Sequence, residues 1–239
     1  MSLAITVNAA DYSNTSIGWE APTSVQPECA LFALDNASGM KNLSASGLQP
    51  SPIGNSPTFT PGVSGQSFPF VTLGYGQALQ TYAPLSASST VVSLINVGNG
   101  NTNIFSPYNS PSPSLFYAQR GTTSNNYLAN GNDNITANAT TTVFDTWQIA
   151  TWQYDMSTTT VTLGYYNYTT NLSVSANSTF SKVYSPAGTY AIGQSADTAV
   201  EMMFKGAIFL IWNSILDSDD MTKAVAWVRK YAASYNVTV

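Results

Sequence analysis

The chain has 239 residues, of which 44% are hydrophobic and only 8% charged, with seven basic residues against twelve acidic ones, no histidine, and a formal net charge of −5. No block of Lys or Arg exists that could neutralise a run of phosphates, so nucleic-acid binding is not expected, and a polybasic membrane contact fails for the same reason. The missing histidine excludes Ser-His-Asp and Cys-His nucleophilic arrangements and every His-containing metal triad.

Polarity comes instead from 30 Ser, 28 Thr and 21 Asn, so the surface is expected to be neutral and covered by hydroxyls and amides. The single cysteine, Cys29, permits no intrachain disulfide and reads as a buried, inert thiol. Apolar stretches such as Gly206 to Trp212 fall well short of the roughly 20 residues a bilayer span requires. Insertion into a membrane is therefore not expected.

Residues 1–27 open with the alternating Leu3, Ile5 and Val7 and then turn polar, with Pro22 and Pro27 as breakers, which reads as an arm or edge strand ahead of one domain over 28–239. The opening MSLAITVNAADYSN has neither a basic n-region nor a long apolar h-region, so synthesis in a host cytoplasm without a signal peptide is expected. From Cys29 onward, short apolar runs are divided by Gly, Pro, Asn and Ser clusters, the pattern of a β-sandwich. The clearest strands are Thr90 to Val97, Ser114 to Ala118, Trp147 to Tyr154, Thr159 to Tyr166, Thr189 to Ile192 and Gly206 to Trp212. In the third, Trp147, Ile149 and Thr151 share one face and Gln148, Ala150 and Trp152 the other; an aromatic on both faces marks an inner strand of a layered fold.

Gly98 to Pro113 and Gly121 to Thr142, dominated by Asn, Ser, Thr, Gly and Pro, read as long loops. GYGQAL at Gly74 to Leu79 lacks the third glycine of a dinucleotide fingerprint and the lysine of a P-loop, and reads as a turn. One helix is predicted at about 218–235: Asp217, Ser218, Asp219 and Asp220 supply a cap and carboxylates for the positive end of its dipole, with Arg229 and Lys230 nearer the other end. Met221, Val225, Val228 and Ala232 form one apolar stripe and Trp227, Tyr231 and Tyr235 another, a face that must pack on the sandwich or on a partner.

Four segments carry a resemblance: LFALDNASGMKNLSASG from Leu31 with the turn at Pro61-Gly62, STVVSLINV, FDTWQIATWQYDMSTTTVTLGYYN, and YAIGQS followed by FKGAIFLIWNSILDSDDMTKAVAWV. In order and spacing they resemble the laminin-G-like, concanavalin A-like jelly-roll superfamily, in the form common in phage and bacterial surface proteins. Leu94 stands where a Trp is usual, and Asn167-Tyr168 replaces an Asn-Gly turn. The resemblance implies an all-β fold of two antiparallel sheets with one C-terminal α-helix, used for surface contact.

Glycoside hydrolases on that fold display carboxylates on one strand face as Glu-x-Asp-x-Glu, a run this sequence lacks; Glu20, Glu28 and Glu201 are far apart, and Asp145 and Asp155 lie at opposite ends of a strand. No enzyme activity is therefore expected. Calcium, used by some relatives, needs several oxygen ligands; helix capping accounts for Asp217, Asp219 and Asp220, and no cofactor is expected. Sugars stack on aromatic faces beside amides and hydroxyls, which selects Tyr108, Tyr117 and Tyr127, taken as loop aromatics, together with Asn132 and Asp133. Leu3, Ile5, Val7, Trp227, Tyr231 and Tyr235 are the candidates for an assembly contact. The functional expectation is a non-enzymatic virion surface protein, a bacteriophage capsid decoration or tail component that contacts other virion proteins and copies of itself, as a trimer, and attaches to a host cell-surface glycan. A cellular adhesion module and a glycosidase of the same fold are the alternatives.

Nine Asn-x-Ser/Thr sequons occur, at Asn14, Asn36, Asn42, Asn134, Asn138, Asn167, Asn171, Asn177 and Asn236, against about five expected by chance at this composition. Without a signal peptide they read as a by-product of Asn-, Ser- and Thr-rich loops.

Overall fold

A computed structural model describes residues 19–34, 39–45, 48–108, 114–130, 132–141, 143–183, 187–193 and 203–239. The strands are β1 Cys29–Ala33, β2 Met40–Asn42, β3 Ser51–Gly54, β4 Thr58–Thr60, β5 Phe70–Leu73, β6 Gln77–Pro84, β7 Ser88–Val97 and β8 Thr102–Tyr108. They continue with β9 Ser114–Arg120, β10 Thr123–Asn130, β11 Asp133–Thr140, β12 Trp147–Asp155, β13 Thr160–Asn167, β14 Leu172–Thr179, β15 Thr189–Gly193 and β16 Phe204–Trp212. The helix α1 spans Ser218–Ser234. It is not long and apolar enough to cross a membrane.

Two antiparallel sheets face each other. The first runs β14-β13-β12-β7-β16-β1-β2, with β5 paired to the start of β16 and β4 to β5; the second runs β11-β10-β9-β8-β15-β6-β3. Between them lies a core to which the first sheet gives Leu31, Val91, Ile95 and Trp152, and the second Leu79, Phe105, Leu128 and Tyr190. A second core covers the other face of the first sheet, where Phe32, Val92, Leu94, Ile149, Leu210 and Trp212 meet Met221, Val225, Val228 and Ala232 of α1. The central strands of the first sheet are thus buried on both faces. That is why β7 and β16 are nearly continuous runs of buried residues, and why β12 carries Trp152 on one face and Trp147 on the other.

The helix begins as its sequence predicts, with the Asp217 carboxylate accepting from the Asp220 N–H at 2.8 Å. No basic residue falls in its last turn, so Arg229 and Lys230 do not serve the C-terminal dipole; Arg229 instead donates to the Tyr168 carbonyl at 3.0 Å. Residues 19–27 are tied to the helix and the sheet. The Ser24 N–H donates to both carboxylate oxygens of Asp220 at 3.0 Å, Trp212 Nε1 donates to the Val25 carbonyl at 2.9 Å, and Trp19 packs edge-on against Phe32 and Trp227.

Both predicted long loops are corrected by the structure, since Gly98 to Pro113 contains β8 and Gly121 to Thr142 contains β10 and β11. Where Asn167-Tyr168 stands in place of an Asn-Gly turn, the chain forms a loop over residues 168–171, closed by Asn171 in the left-handed region at φ 56°. Asn167 Oδ1 accepts from the Thr169 and Thr170 N–H groups and shapes that loop.

The sandwich differs at its two sides. At one, the terminal strands β11 and β14 lie against each other across the sheets. At the other, the backbone edge of β2 is occupied by a side chain: Gln49 Oε1 accepts from the Asn42 N–H at 3.0 Å and Gln49 Nε2 donates to the Asn42 carbonyl at 2.9 Å.

Candidate functional site

With α1 on the first sheet, the face not covered by the helix is the outward face of the second, where Tyr82 is exposed and Ser51, Gln80, Tyr108, Tyr127 and Thr189 are partly exposed, while Ser106 and Ala191 are buried. Residues paired directly across an antiparallel ladder project to the same side. Tyr108 pairs with Thr189, Ser106 and Gln80 both pair with Ala191, Ser51 pairs with Gln80, and Tyr127 pairs with Thr136. The residues beside them on β6 and β15, Leu79, Ala83, Tyr190 and Ile192, point into the core, which sets the other parity outward.

Tyr82 completes the set. It is 37% exposed and sits at φ 61°, in the left-handed region that an aromatic residue rarely adopts, where the ladder between β6 and β15 shifts register. Its hydroxyl shares a 2.8 Å hydrogen bond with Ser51 Oγ, and beside it Gln80 Nε2 donates to Thr189 Oγ1 at 3.3 Å. Tyr82, Tyr108 and Tyr127 therefore stand on β6, β8 and β10, each two strands from the next, a step of about 9.5 Å. The sequences of β3, β6, β8, β9, β10, β11 and β15 contain two charged residues, Arg120 and Asp133, both at strand ends. The face is accordingly neutral, with aromatic rings spaced among amides and hydroxyls.

The candidate sugar contacts separate. Tyr108 and Tyr127 belong to this face, on strands where loops were expected. Tyr117 does not: it is 4% exposed and lies between the sheets, its ring centroid 4.0 Å from that of Trp152 and 5.3 Å from that of Tyr165. Burial, then the neighbouring Tyr165, pushes its hydroxyl well above the usual tyrosine range. Asn132 is exposed in the turn between β10 and β11, and Asp133 begins β11, three strands from Tyr108. The Asp133 carboxylate accepts from the Ser181 hydroxyl and from its N–H at 2.6 Å, bonds that hold it below the ordinary carboxylate range. It ties the hairpin tip to the segment after β14. Tyr82, Gln80, Thr189 and Ser51 were not selected from the sequence; the alternation in QALQTYAP was the available signal.

Leu3, Ile5 and Val7 lie outside the described residues. Trp227, Tyr231 and Tyr235 are half-buried against their own chain: Trp227 meets Trp19 and Phe32, and Tyr231 and Tyr235 meet Phe68. Each carboxylate of the acidic turn has a protein donor, Asp217 from the Asp220 N–H, Asp219 from Lys223 at 2.6 Å, and Asp220 from Ser24. Among the described residues, no group of three or more His, Cys, Asp or Glu gathers as a metal site. A cavity of about 290 Å³ opens between the β2 and β3 edges, lined by Met40, Val71, Leu79, Pro50, Pro52 and Lys41, and it offers no aromatic ring to a ligand.

No family model matches the chain, and no curated protein does. Solved structures do. The botulinum neurotoxin serotype C1 binding domain aligns with a TM-score of 0.60 at 12% identity, over 84% of this chain and 51% of that one. The botulinum neurotoxin DC binding domain in complex with SialylT gives 0.59 at 14% identity, over 84% and 50%. A structure described by the dependence of botulinum neurotoxin type C cell entry on two ganglioside molecules gives 0.59 at 13%, over 84% and 50%. This chain spans about half the length of those proteins. Likeness at such identity shows the fold, and the narrower laminin-G and concanavalin A label stays a resemblance. The chain is a two-sheet, antiparallel, jelly-roll-like β-sandwich with a C-terminal helix.

Proposed function

We propose that this chain is a non-catalytic recognition module that binds a neutral oligosaccharide on the outward face of its second sheet and is displayed on a virion surface. The observation that carries the binding is the line Tyr82, Tyr108 and Tyr127 on a face of amides and hydroxyls. Rings on strands about 9.5 Å apart, with Tyr108 two residues further along the sheet than the level of Tyr127, suit an extended chain of sugars better than one sugar. The scarcity of charge on this face favours neutral sugars over sialylated ones. Similar folds solved with SialylT, or described through gangliosides, support a saccharide as ligand. Glycoside hydrolysis needs two carboxylates flanking the bond, and the strands of this face present none outward, since Asp133 shares the inward parity of Ile135 and Ala137 and is held by Ser181. The virion setting is supported by the charge-poor, Asn-, Ser- and Thr-rich composition and by the resemblance to phage surface domains.

A glycan array followed by calorimetry tests the binding. Neutral oligosaccharides should bind, and Tyr82→Ala, Tyr108→Ala and Tyr127→Ala should each weaken binding about tenfold, equivalent to about 1.4 kcal/mol. A blank array, or affinity unchanged in all three variants, removes the reading. Release of reducing sugar from a bound glycan would overturn its non-catalytic part, and absence of the chain from purified particles its virion setting.

A further inference from the structure

The nine sequons fall into distinct structural groups. Asn42 and Asn167 are buried at 4% and 1% exposure, and their Nδ2 groups donate to the Leu48 carbonyl and to Gln148 Oε1. Their Oδ1 atoms accept from the N–H groups of Ser44 and Thr169, the third residues of the same sequons. Those two motifs build local turns, and the Asn-x-Ser/Thr spacing follows from that geometry. Asn236 is exposed, but its Nδ2 donates to the Gly65 carbonyl at 3.2 Å. Asn14 and Asn36 lie outside the described residues.

Four others behave differently. Asn134 and Asn138 on β11, Asn171 in the loop after β13, and Asn177 on β14 are all exposed, as are their partners Thr136, Thr140, Ser173 and Thr179. Strand alternation puts residues i and i+2 on one face, so each amide and its hydroxyl emerge together. Asn138 accepts from the Asn126 N–H and Asn171 from the Tyr166 hydroxyl, both through Oδ1, which leaves Nδ2, the atom that carries a glycan, outside those bonds. Because β11 and β14 are the terminal strands of their sheets and lie side by side, the four sequons share one edge of the sandwich.

That edge is also short of the usual protection. Terminal strands expose unpaired backbone groups, and proteins commonly guard them with lysines, prolines or bulges. β14 has no charged residue and no proline, and β11 has only Asp133, at its first position. We propose that, against the expectation of cytoplasmic synthesis, the chain passes through a compartment that transfers lipid-linked oligosaccharide, and that this edge carries N-linked glycans at Asn134, Asn138, Asn171 and Asn177. In the transfer, the anomeric C1–O bond to the phosphate of a lipid-linked oligosaccharide breaks and a C1–Nδ2 bond forms. The amide nitrogen loses a proton, and the lipid phosphate or pyrophosphate leaves with the bonding electrons. The hydrophilic chains then shield both terminal strands. Those on Asn134 and Asn138 flank Thr136, opposite Tyr127, and border the face on that side.

Peptide mapping by mass spectrometry of the chain isolated from its native source, before and after amidase deglycosylation, tests the proposal. Occupancy is expected at Asn134, Asn138, Asn171 and Asn177, with Asn42 and Asn167 bare. Bare peptides at the four edge positions, or glycans at Asn42 or Asn167 instead, overturn it. A variant with Asn134, Asn138 and Asn177 changed to Gln and Ser173 to Ala, which spares the left-handed Asn171 while removing its sequon, made in the same cells, should keep the thermal midpoint and circular dichroism of the wild type, lose the glycan mass, and self-associate by light scattering. Unchanged mass in that variant would also overturn it.

Discussion

Replacing Tyr117 by alanine separates a core residue from a ligand platform. The side chain is 4% exposed and packs on Trp152 and Tyr165, so truncation leaves a cavity the size of a ring between the two sheets. Aromatic-to-alanine changes in such positions cost about 3–5 kcal/mol, and for a domain of this size each kcal/mol lowers the melting midpoint by about 2–4 °C. A loss of about 4 kcal/mol therefore corresponds to roughly 8–16 °C by scanning calorimetry. Tyr117→Phe keeps the ring and gives up the hydroxyl's hydrogen bonding with Tyr165, at 3.5 Å, and with Ser124, which costs about 1 kcal/mol. The alanine variant should melt early, while the phenylalanine variant should melt within about 4 °C of the wild type and bind any glycan equally well. If Tyr117→Ala melted like the wild type and lost only glycan affinity, the placement of this ring between the sheets would be refuted.

Further outcomes follow from two titratable groups. Cys29 is 1% exposed, and burial, then the adjacent Glu28, pushes its thiol up to about 12. The folded chain should be inert to a thiol-reactive disulfide reagent near neutral pH and react with one equivalent once denatured. Because the folded state keeps a proton that the unfolded state releases near 9.0, stability should fall as pH rises through the window from there to about 12, read as a lower urea midpoint. For Asp220 the sign is opposite: the Ser24 hydroxyl and N–H, then Lys223, hold its carboxylate below the ordinary range. Its contribution is present above the unfolded carboxylate value and is lost as pH falls through the folded one. Asp220→Ala should speed hydrogen exchange at the Ser24 amide at least tenfold with β7 and β16 unaffected, and equal protection at Ser24 would count against the latch.

The sequence was most informative where burial is two-sided. β7, β12, β16 and α1 were readable because their apolar runs answer to two cores at once. β10 and β11 were read as loop because their inward residues are mostly small or polar. Ser124, Asn126 and Leu128 face inward on one and Ile135, Ala137 and Ala139 on the other, and Asn126 is accommodated by donating to the Ala137 carbonyl at 2.6 Å. A strand that packs alanine and serine against the edge of a core shows little hydrophobic alternation. The site was legible only in its chemistry. Tyrosines among amides could be selected from composition, but the register that sends Tyr117 inward and Tyr108 outward depends on the bulge in β8 between Asn103 and Phe105, and the exposure of Tyr82 on a left-handed residue.

The clamp between Gln49 and Asn42 bears on how copies can meet. A sheet with two open ends can recruit one neighbour at each and grow without limit, whereas a sheet with one end stopped can pair only through the other. Gln49 fills the β2 end with a single side-chain amide, so the long path of the first sheet has β14 as its other end, with β4 ending the short branch through β5. Edge pairing through β14 closes at two copies related by a twofold axis, so growth along the long path of that sheet stops there.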